Sequence, residues 1–474
     1  MAECVVHWFR RDLRLDDNLA LEGALRTGVP VVPLFILDDR ILRQPTMGER
    51  RLQFLRTALL DLDRALRGRG SRLLVVRAED AARELNRVAE EVGAWALYFN
   101  RDYTPYARWR DTRTTRGMQM TGVVTMPMDD LLLVSPLRTI DADGHLPTDF
   151  DAFALRWFEA LQLGPEGEPA EGTFMASGQL PAAVDGWPET LAPALLGPSP
   201  WPGATPASAA TRLEAFLAQG LERYPAQREL AGEYTTSRLS AALKFGTVSA
   251  RRLAATVIAE GARNADARPS VERFIMELAR RDFAHHLLFS PPQLTQDSWD
   301  PPEGAVGGSR GGTPVIAAEE AFDAWAGGRT GVPLIDAGMR QLSTEGWMPD
   351  GVRVAAASFL SHGLGIDPAS GARHFARHQV DHDVAMNATG WRQALGVGVA
   401  ASSDPGIYDP RHQAESLDPG GDYVRRHVPE LARVPDAFIH HPWDMPAAVQ
   451  SEAACRVPMD YPKPIAAVAM PRGR

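Results

Sequence analysis

Five short runs of β-branched and aromatic residues, each followed by an amphipathic stretch, govern what the first quarter of this chain can become. They are Val5-Val6, Val31 to Ile36, Leu73 to Val76, Leu97-Tyr98-Phe99 and Val123-Val124. Between them lie helical patterns such as Arg51 to Arg67, where Leu52, Leu55, Leu59 and Leu62 recur on one face. Strands joined by helix-length connections close as a parallel sheet with helical crossovers, so residues 1–130 are expected to form an α/β domain. From about residue 206 the periodicity is helical almost throughout, which predicts an all-helical domain over 206–474. The intervening 131–205 has a weaker pattern and gathers proline and glycine at 164–169 and 197–203. It reads as a long inter-domain linker. A second glycine-rich loop spans 301–314, and no internal repeat is visible.

Composition narrows the function classes. A chain of 474 residues exceeds one typical core. At 45% hydrophobic and 23% charged it has the make-up of a globular protein. The net charge of −10 excludes a generally basic nucleic-acid coat but leaves room for a local basic groove. Cys4 and Cys455 stand near opposite ends, so they supply neither a disulfide framework nor a four-cysteine iron–sulfur site. The chain enters its first strand with no basic segment before it, and no apolar run is long enough to span a bilayer. The expectation is a reduced, cytoplasmic, monomeric protein with no membrane partner.

The densest chemistry lies between Arg353 and Trp391, in the run Asp381-His382-Asp383-Val384-Ala385-Met386-Asn387-Ala388-Thr389-Gly390-Trp391. Two carboxylates, an amide and an aromatic in so few residues demand partners. One reading is a capped helix end followed by a polar turn; the other is a ligand site. Upstream, Thr235-Thr236-Ser237-Arg238-Leu239-Ser240 opens an apolar-periodic stretch. Its hydroxyls suit either helix capping or a phosphate at the helix start. The first strand runs into His7-Trp8-Phe9-Arg10-Arg11-Asp12-Leu13-Arg14-Leu15-Asp16-Asp17-Asn18, where Arg10, Arg11 and Arg14 either bind a ligand or pair with Asp12, Asp16 and Asp17 to brace the domain interface.

These stretches together resemble the photolyase/cryptochrome family. The likeness rests on Trp8 to Asn18, Tyr224 with the Thr-Ser-x-Leu-Ser pattern, Glu277 to Phe283, Gly331 to Met348, the Asp381–Trp391 run, and Tyr461-Pro462-Lys463-Pro464-Ile465. It implies a Rossmann-like N-terminal domain and a C-terminal helical domain that binds FAD. In that family the α/β domain often carries an antenna chromophore, a folate or a deazaflavin; these residues reveal neither which one nor whether one binds. By resemblance, FAD is contacted by Tyr224, Thr236, Ser237, Arg238, Leu239, Ser240, Arg281, Arg353, Asp381, Asp383 and Asn387. Arg353 and Asp381 are expected as a buried ion pair beside the flavin, and Asn387 as the residue facing its N5.

The same resemblance marks departures. Arg280 stands where relatives place a tryptophan that walls the lesion pocket, and Gln393 replaces the second wall. Asp350 and Gly351 replace an asparagine and a basic residue, and Gly406 an arginine. Of three relay tryptophans, Trp391 remains, while Pro368 and Val315 fill the other two positions. Trp325, Trp347 and Tyr408 are candidate substitutes. Losing two aromatic walls removes roughly 2–6 kcal/mol of base stacking. Glu277, Asn387, Trp391 and His382 are the candidate catalytic residues, and Glu277, Arg280, Asp350 and Gln393 the expected substrate pocket.

His374, His378 and His382 fall four apart on an expected helix, an arrangement compatible with a divalent metal or with a solvated face; no metal is assigned. His382, between the two aspartates, is a candidate proton donor. The pairs His285-His286 and His440-His441 read as structural. The leading expectation is light-driven electron transfer that repairs pyrimidine dimers in damaged DNA. The alternatives are a blue-light photoreceptor, which the short tail after the helical domain disfavours, and a flavoenzyme acting on a small polar substrate.

Overall fold

The computed structural model describes residues 4–141, 143, 145–163, 171–191, 199–232, 235–289, 316–396 and 410–466. The glycine-rich loop 301–314, Val315, Gly406, Tyr408 and most of the two proline–glycine stretches lie outside the described residues. The chain packs into two compact units, residues 1–222 with 237–293 and residues 223–236 with 294–474.

In the first unit all five expected strands form: β1 (Cys4–Phe9), β2 (Val31–Asp38), β3 (Leu74–Ala78), β4 (Ala94–Asn100) and β5 (Val124–Met128). Every pairing is parallel and the order is β3-β2-β1-β4-β5. Strands β1 and β2 are buried along their whole length, the pattern of a sheet covered on both faces. Val6, Trp8, Leu34, Leu74 and Leu97 pack with Leu85 and Val88 of the Ala81–Val92 helix. The strand order reverses between β1 and β4, so their carboxyl ends part into a crevice, the usual ligand position in open α/β sheets.

Residues read as linker carry structure of their own. Phe153 and Trp157, on the Phe150–Ala160 helix, are fully buried. The Val184 N–H donates to Val75 O, covering part of the β3 edge. Three helices, Ser240–Phe245, Ala250–Arg263 and Arg268–Phe289, complete the unit. Gly246 lets the first of them meet the sheet: its φ is +71°, and a Cβ there would collide with the Arg11 backbone.

The second unit is helical, as expected. Its core gathers Trp325, Leu334, Met339, Phe359, Phe375, Trp391, Tyr423 and Tyr461. Asp336, fully buried on the Pro333–Glu345 helix, accepts hydrogen bonds from Thr330 N at 2.6 Å, Thr330 Oγ1 at 2.7 Å, Gly331 N at 3.1 Å and the Tyr461 hydroxyl at 2.5 Å. Those donors repay the burial of a carboxyl group. The Asp350–Ser358 helix widens into a π turn at Phe359–Gly363. Among the described residues no helix is long and apolar enough to cross a membrane.

Candidate functional site

In the second unit, the helix Asp350–Ser358 carries Arg353 in its first turn. Arg353 Nη2 lies 2.8 Å from Asp381 Oδ2, its Nε donates to Met348 O at 2.9 Å, and its Cζ sits 5.9 Å from the Trp347 ring. The expected ion pair is therefore formed. Asp381 keeps a second oxygen, Oδ1, buried and without a hydrogen bond among the described residues. A buried anionic oxygen in this position calls for a donor.

Two residues on, Asp383 caps the Val384–Ala394 helix, accepting from Ala385 N at 2.9 Å and Met386 N at 3.3 Å. The capping alternative is thus realised at this aspartate. Asp383, Asn387 and Trp391 follow at four-residue spacing and share one side of the helix. Asn387 Nδ2 donates to Ala372 O at 3.3 Å. Trp391 is buried against Phe375, with ring centres 5.2 Å apart, and Phe375 stacks on Trp325 at 5.7 Å and 17°. Trp325 is itself buried, its Nε1 donating to Ala356 O at 2.9 Å. Pro368 opens the Pro368–His378 helix, while Trp347 is half-buried. Asp350 and Gln393 are exposed.

The histidine expectation needs correction. The Pro368–His378 helix ends at His378, so His382 lies in the connection to the next helix and the three imidazoles do not share a face. The helix stops because Asp381 is held by Arg353 and Asp383 by the next helix start. His374 and His378 are half-buried rather than fully solvated: their rings stack at 4.2 Å, His374 meets Trp325 edge-on at 5.3 Å, and burial, with His378 and Arg377 nearby, pushes the His374 pKa down to about 3. His382 is buried. Also in this unit, Tyr224 is buried under the Arg228 guanidinium, 5.8 Å away, and Thr236 is half-buried.

In the first unit, Ser237 O accepts from Arg212 Nε at 2.9 Å. Arg238 adopts a left-handed φ of +51°, rare for a side-chain-bearing residue, with its Cζ 4.8 Å from the Trp201 ring. Leu239 is buried and stands at the cap position of Ser240–Phe245 without a side-chain hydrogen bond, so neither serine caps this helix.

Glu277, Arg280 and Arg281 lie on the Arg268–Phe289 helix. Glu277 Oε1 is 3.5 Å from Arg273 Nη2 and 3.7 Å from Arg280 Nε. Arg281 donates to Leu131 O at 3.1 Å and pairs with Asp282 Oδ1 at 3.2 Å. Asp282 Oδ2 accepts from Leu133 N, Val134 N and Trp157 Nε1 at 2.8, 3.1 and 3.0 Å. Burial pushes Asp282 up to about 6 despite Arg281. The pair His285-His286 is structural as expected in the case of His286, whose ring bridges Val134 O and Thr139 Oγ1. Asp282 and Phe150 were missed by sequence reasoning. Phe150-x-x-Phe153-x-x-x-Trp157 at helical spacing was the available signal.

At the crevice beyond β1 and β4, Arg10, Arg11 and Arg101 face Asp12, Asp102 and Asp130. Each arginine finds a carboxylate other than the expected Asp12, Asp16 and Asp17, and finds it within the first unit rather than at a domain interface. Arg10 pairs with Asp111 at 2.6 Å, Arg11 with Asp102 at 3.4 Å and Arg14 with Asp130 at 2.5 Å. Asp12 instead accepts from the Arg10 N–H and from Asn100 Nδ2, both at 2.6 Å. These acids arrive from the ends of β4 and β5 and from the Pro105–Met120 helix, a closure no local pattern reveals.

A parallel α/β unit followed by a helical one, with an arginine-held aspartate whose spare oxygen awaits a donor, is the frame of a two-unit flavoprotein. Residues 5–172 match the family model described as DNA photolyase, and residues 274–474 that of the FAD binding domain of DNA photolyase. The chain is 35% identical to the deoxyribodipyrimidine photo-lyase of Streptomyces griseus over 473 residues, 98% of this chain and 97% of that one. It is 32% identical to Cryptochrome-1 of Arabidopsis thaliana over 98% of this chain and 68% of the relative. A bacterial class III photolyase from Agrobacterium tumefaciens superposes with a TM-score of 0.84 at 30% identity, covering 98% of this chain and 95% of the other. The chain belongs to the photolyase/cryptochrome family, and its cofactor is FAD.

Proposed function

We propose that this protein is a photolyase-type lyase that repairs pyrimidine dimers in DNA. The observation that carries the reading is the buried, donor-seeking Oδ1 of Asp381 beside its pair with Arg353. It fits the N–H edge of a flavin ring, which supplies light absorption and the transferable electron when bound. Arg353 fixes the orientation of that carboxylate, and Asp383 holds the following helix so that Asn387 and Trp391 present one face. Tyr224, Thr236, Ser237, Arg238, Leu239, Ser240 and Arg281 are proposed to hold the remainder of FAD.

Glu277 carries the proposed substrate contact. Flanked by Arg273 and Arg280, its carboxylate is poised to accept from a flipped pyrimidine; Asp350 and Gln393, exposed on the second unit, are the further proposed substrate contacts. His382, buried between the aspartates, is the proposed proton donor. The protein is read as a monomer acting in the cytoplasm, its two cysteines free and buried. A blue-light receptor is the second reading, favoured by the replaced walls at Arg280 and Gln393 and by the likeness to Cryptochrome-1.

The test is an oligonucleotide containing one thymine dimer, incubated with the FAD-reduced protein in blue light and in the dark. Restoration of thymines in light alone is the expected result. A reduced, light-responsive protein that leaves the dimer intact would favour the receptor.

A further inference from the structure

Resting on the proposed contact of Arg281 with FAD, we propose that Asp282 is a positioning residue for Arg281, and that one proton on Asp282 releases it. The two oxygens of this fully buried carboxyl group have separate tasks. Oδ2 accepts three N–H donors, from Leu133 N at 2.8 Å, Val134 N at 3.1 Å and Trp157 Nε1 at 3.0 Å. Oδ1 accepts from Arg281 Nη1 at 3.2 Å, and Arg281 Nη2 donates to Leu131 O at 3.1 Å. All of these groups belong to the first unit. A carboxyl group kept only to tie the helix to the 131–134 segment would need Oδ2 alone.

None of the three donors on Oδ2 can act as an acceptor instead. A proton taken up by the carboxyl group therefore has one place to go, Oδ1, where it meets the N–H of Arg281. Ionised, the carboxylate holds the guanidinium by a charge-assisted hydrogen bond. Protonated, it sets a donor against a donor while the fold keeps its three hydrogen bonds through Oδ2. The Arg281 contact and the protonated form exclude each other. Burial raises Asp282 from 3.8 to about 6, which brings the exchange close to neutrality.

The ionisable surroundings are simple. On the Arg268–Phe289 helix the neighbours are Arg281 and the buried pair His285-His286, and the His286 ring is engaged with Val134 O and Thr139 Oγ1. Leu131 to Ser135 carry no ionisable side chain. From the Phe150–Ala160 helix Asp282 meets Trp157, while Arg156 donates to Thr139 O. Arg281 is thus the charge that opposes the effect of burial.

The experiment uses the FAD-loaded protein in the dark and without DNA, so that cofactor holding is read apart from repair. FAD release after dilution is followed by flavin fluorescence from about pH 8 to about pH 5, with thermal midpoints of the same samples showing that each variant is folded. Wild-type release is expected to quicken about tenfold as the pH falls through 6, the effect of one charge-assisted hydrogen bond. Asp282→Asn keeps the shape: its amide oxygen must serve the three donors, so its NH₂ faces Arg281, a permanent copy of the protonated form. It is expected to release FAD at about the wild-type acid rate at every pH. Arg281→Gln is expected to release quickly throughout and to be indifferent to added Asp282→Asn. A flat wild-type profile, a pH break that persists in Arg281→Gln, or wild-type retention in Asp282→Asn at about pH 8 would overturn the positioning role. Wild-type retention in Arg281→Gln would remove Arg281 from the cofactor, and this role with it, while dimer repair in light is decided separately.

Discussion

Arg353 holds one oxygen of Asp381 at 2.8 Å and leaves the other buried with no hydrogen bond among the described residues. The carboxylate is thereby aimed before any ligand arrives, which lowers the ordering cost of binding. Arg353→Met strands the charge, and should destabilise the second unit by roughly 3 kcal/mol while lowering the flavin-to-protein absorbance ratio. Asp381→Asn keeps the shape but removes the charge and should lose flavin with less damage to the fold. Full flavin content in both variants would remove the pair from the site.

Acid should weaken the first unit with a definable slope. Burial pushes His7 and His286 each down to about 4 from the ordinary 6.5. Each therefore contributes stability that is complete above pH 6.5 and is lost as the pH falls toward 4. Asp282 runs the other way: raised from 3.8 to about 6 by burial, its contribution is complete below 3.8 and lost as the pH rises through 6. Counted for these three groups alone, two histidines against one aspartate leave the unfolded unit with about one extra proton in this window. The unfolding free energy should fall by roughly 1.4 kcal/mol per pH unit on acidification. Asp282→Asn removes the opposing group and should steepen the fall. Denaturant titrations across the window measure both slopes, and a flat profile contradicts the assignment.

Gly371 has no space for a methyl group, since a Cβ there would meet both Trp391 and Leu360. Gly371→Ala should displace the indole, cost about 1–3 kcal/mol and shift tryptophan fluorescence. Trp391→Phe in the same background should relieve part of that cost. Unchanged stability and emission in the single variant would contradict the packing described.

The Tyr461 hydroxyl donates to the buried Asp336 carboxylate at 2.5 Å. Tyr461→Phe removes a donor to a buried carboxyl oxygen and should lower stability by about 1.5–3 kcal/mol, read from the thermal or denaturant midpoint. Thr330→Val, which loses a second donor to the same group, should combine with it non-additively.

Much of this fold is written in local pattern. Each of the five β-branched runs became a strand, and the Leu52-Leu55-Leu59-Leu62 face became the Glu49–Arg67 helix. The site motif was legible because Arg353, Asp381 and Asp383 are polar residues in an apolar setting. What local pattern could not give was partnership over distance. Arg10 was matched to its sequence neighbours, yet it finds Asp111 on the Pro105–Met120 helix. His382 was placed on a helix by spacing alone, but neighbouring aspartates with fixed partners ended that helix at His378. Phe150 escaped notice because its importance lies in carrying Arg280, a residue far away in sequence.

Asp130 accepts Arg14 on one oxygen at 2.5 Å and Arg251 on the other at 2.7 Å. A ribosome that has released the whole parallel sheet has therefore not yet released the second arm of this clasp. The nascent first unit waits, its acid half-neutralised, until residue 251 clears the exit tunnel. Vectorial synthesis thus supplies the five strands early and the second arm of their clasp late.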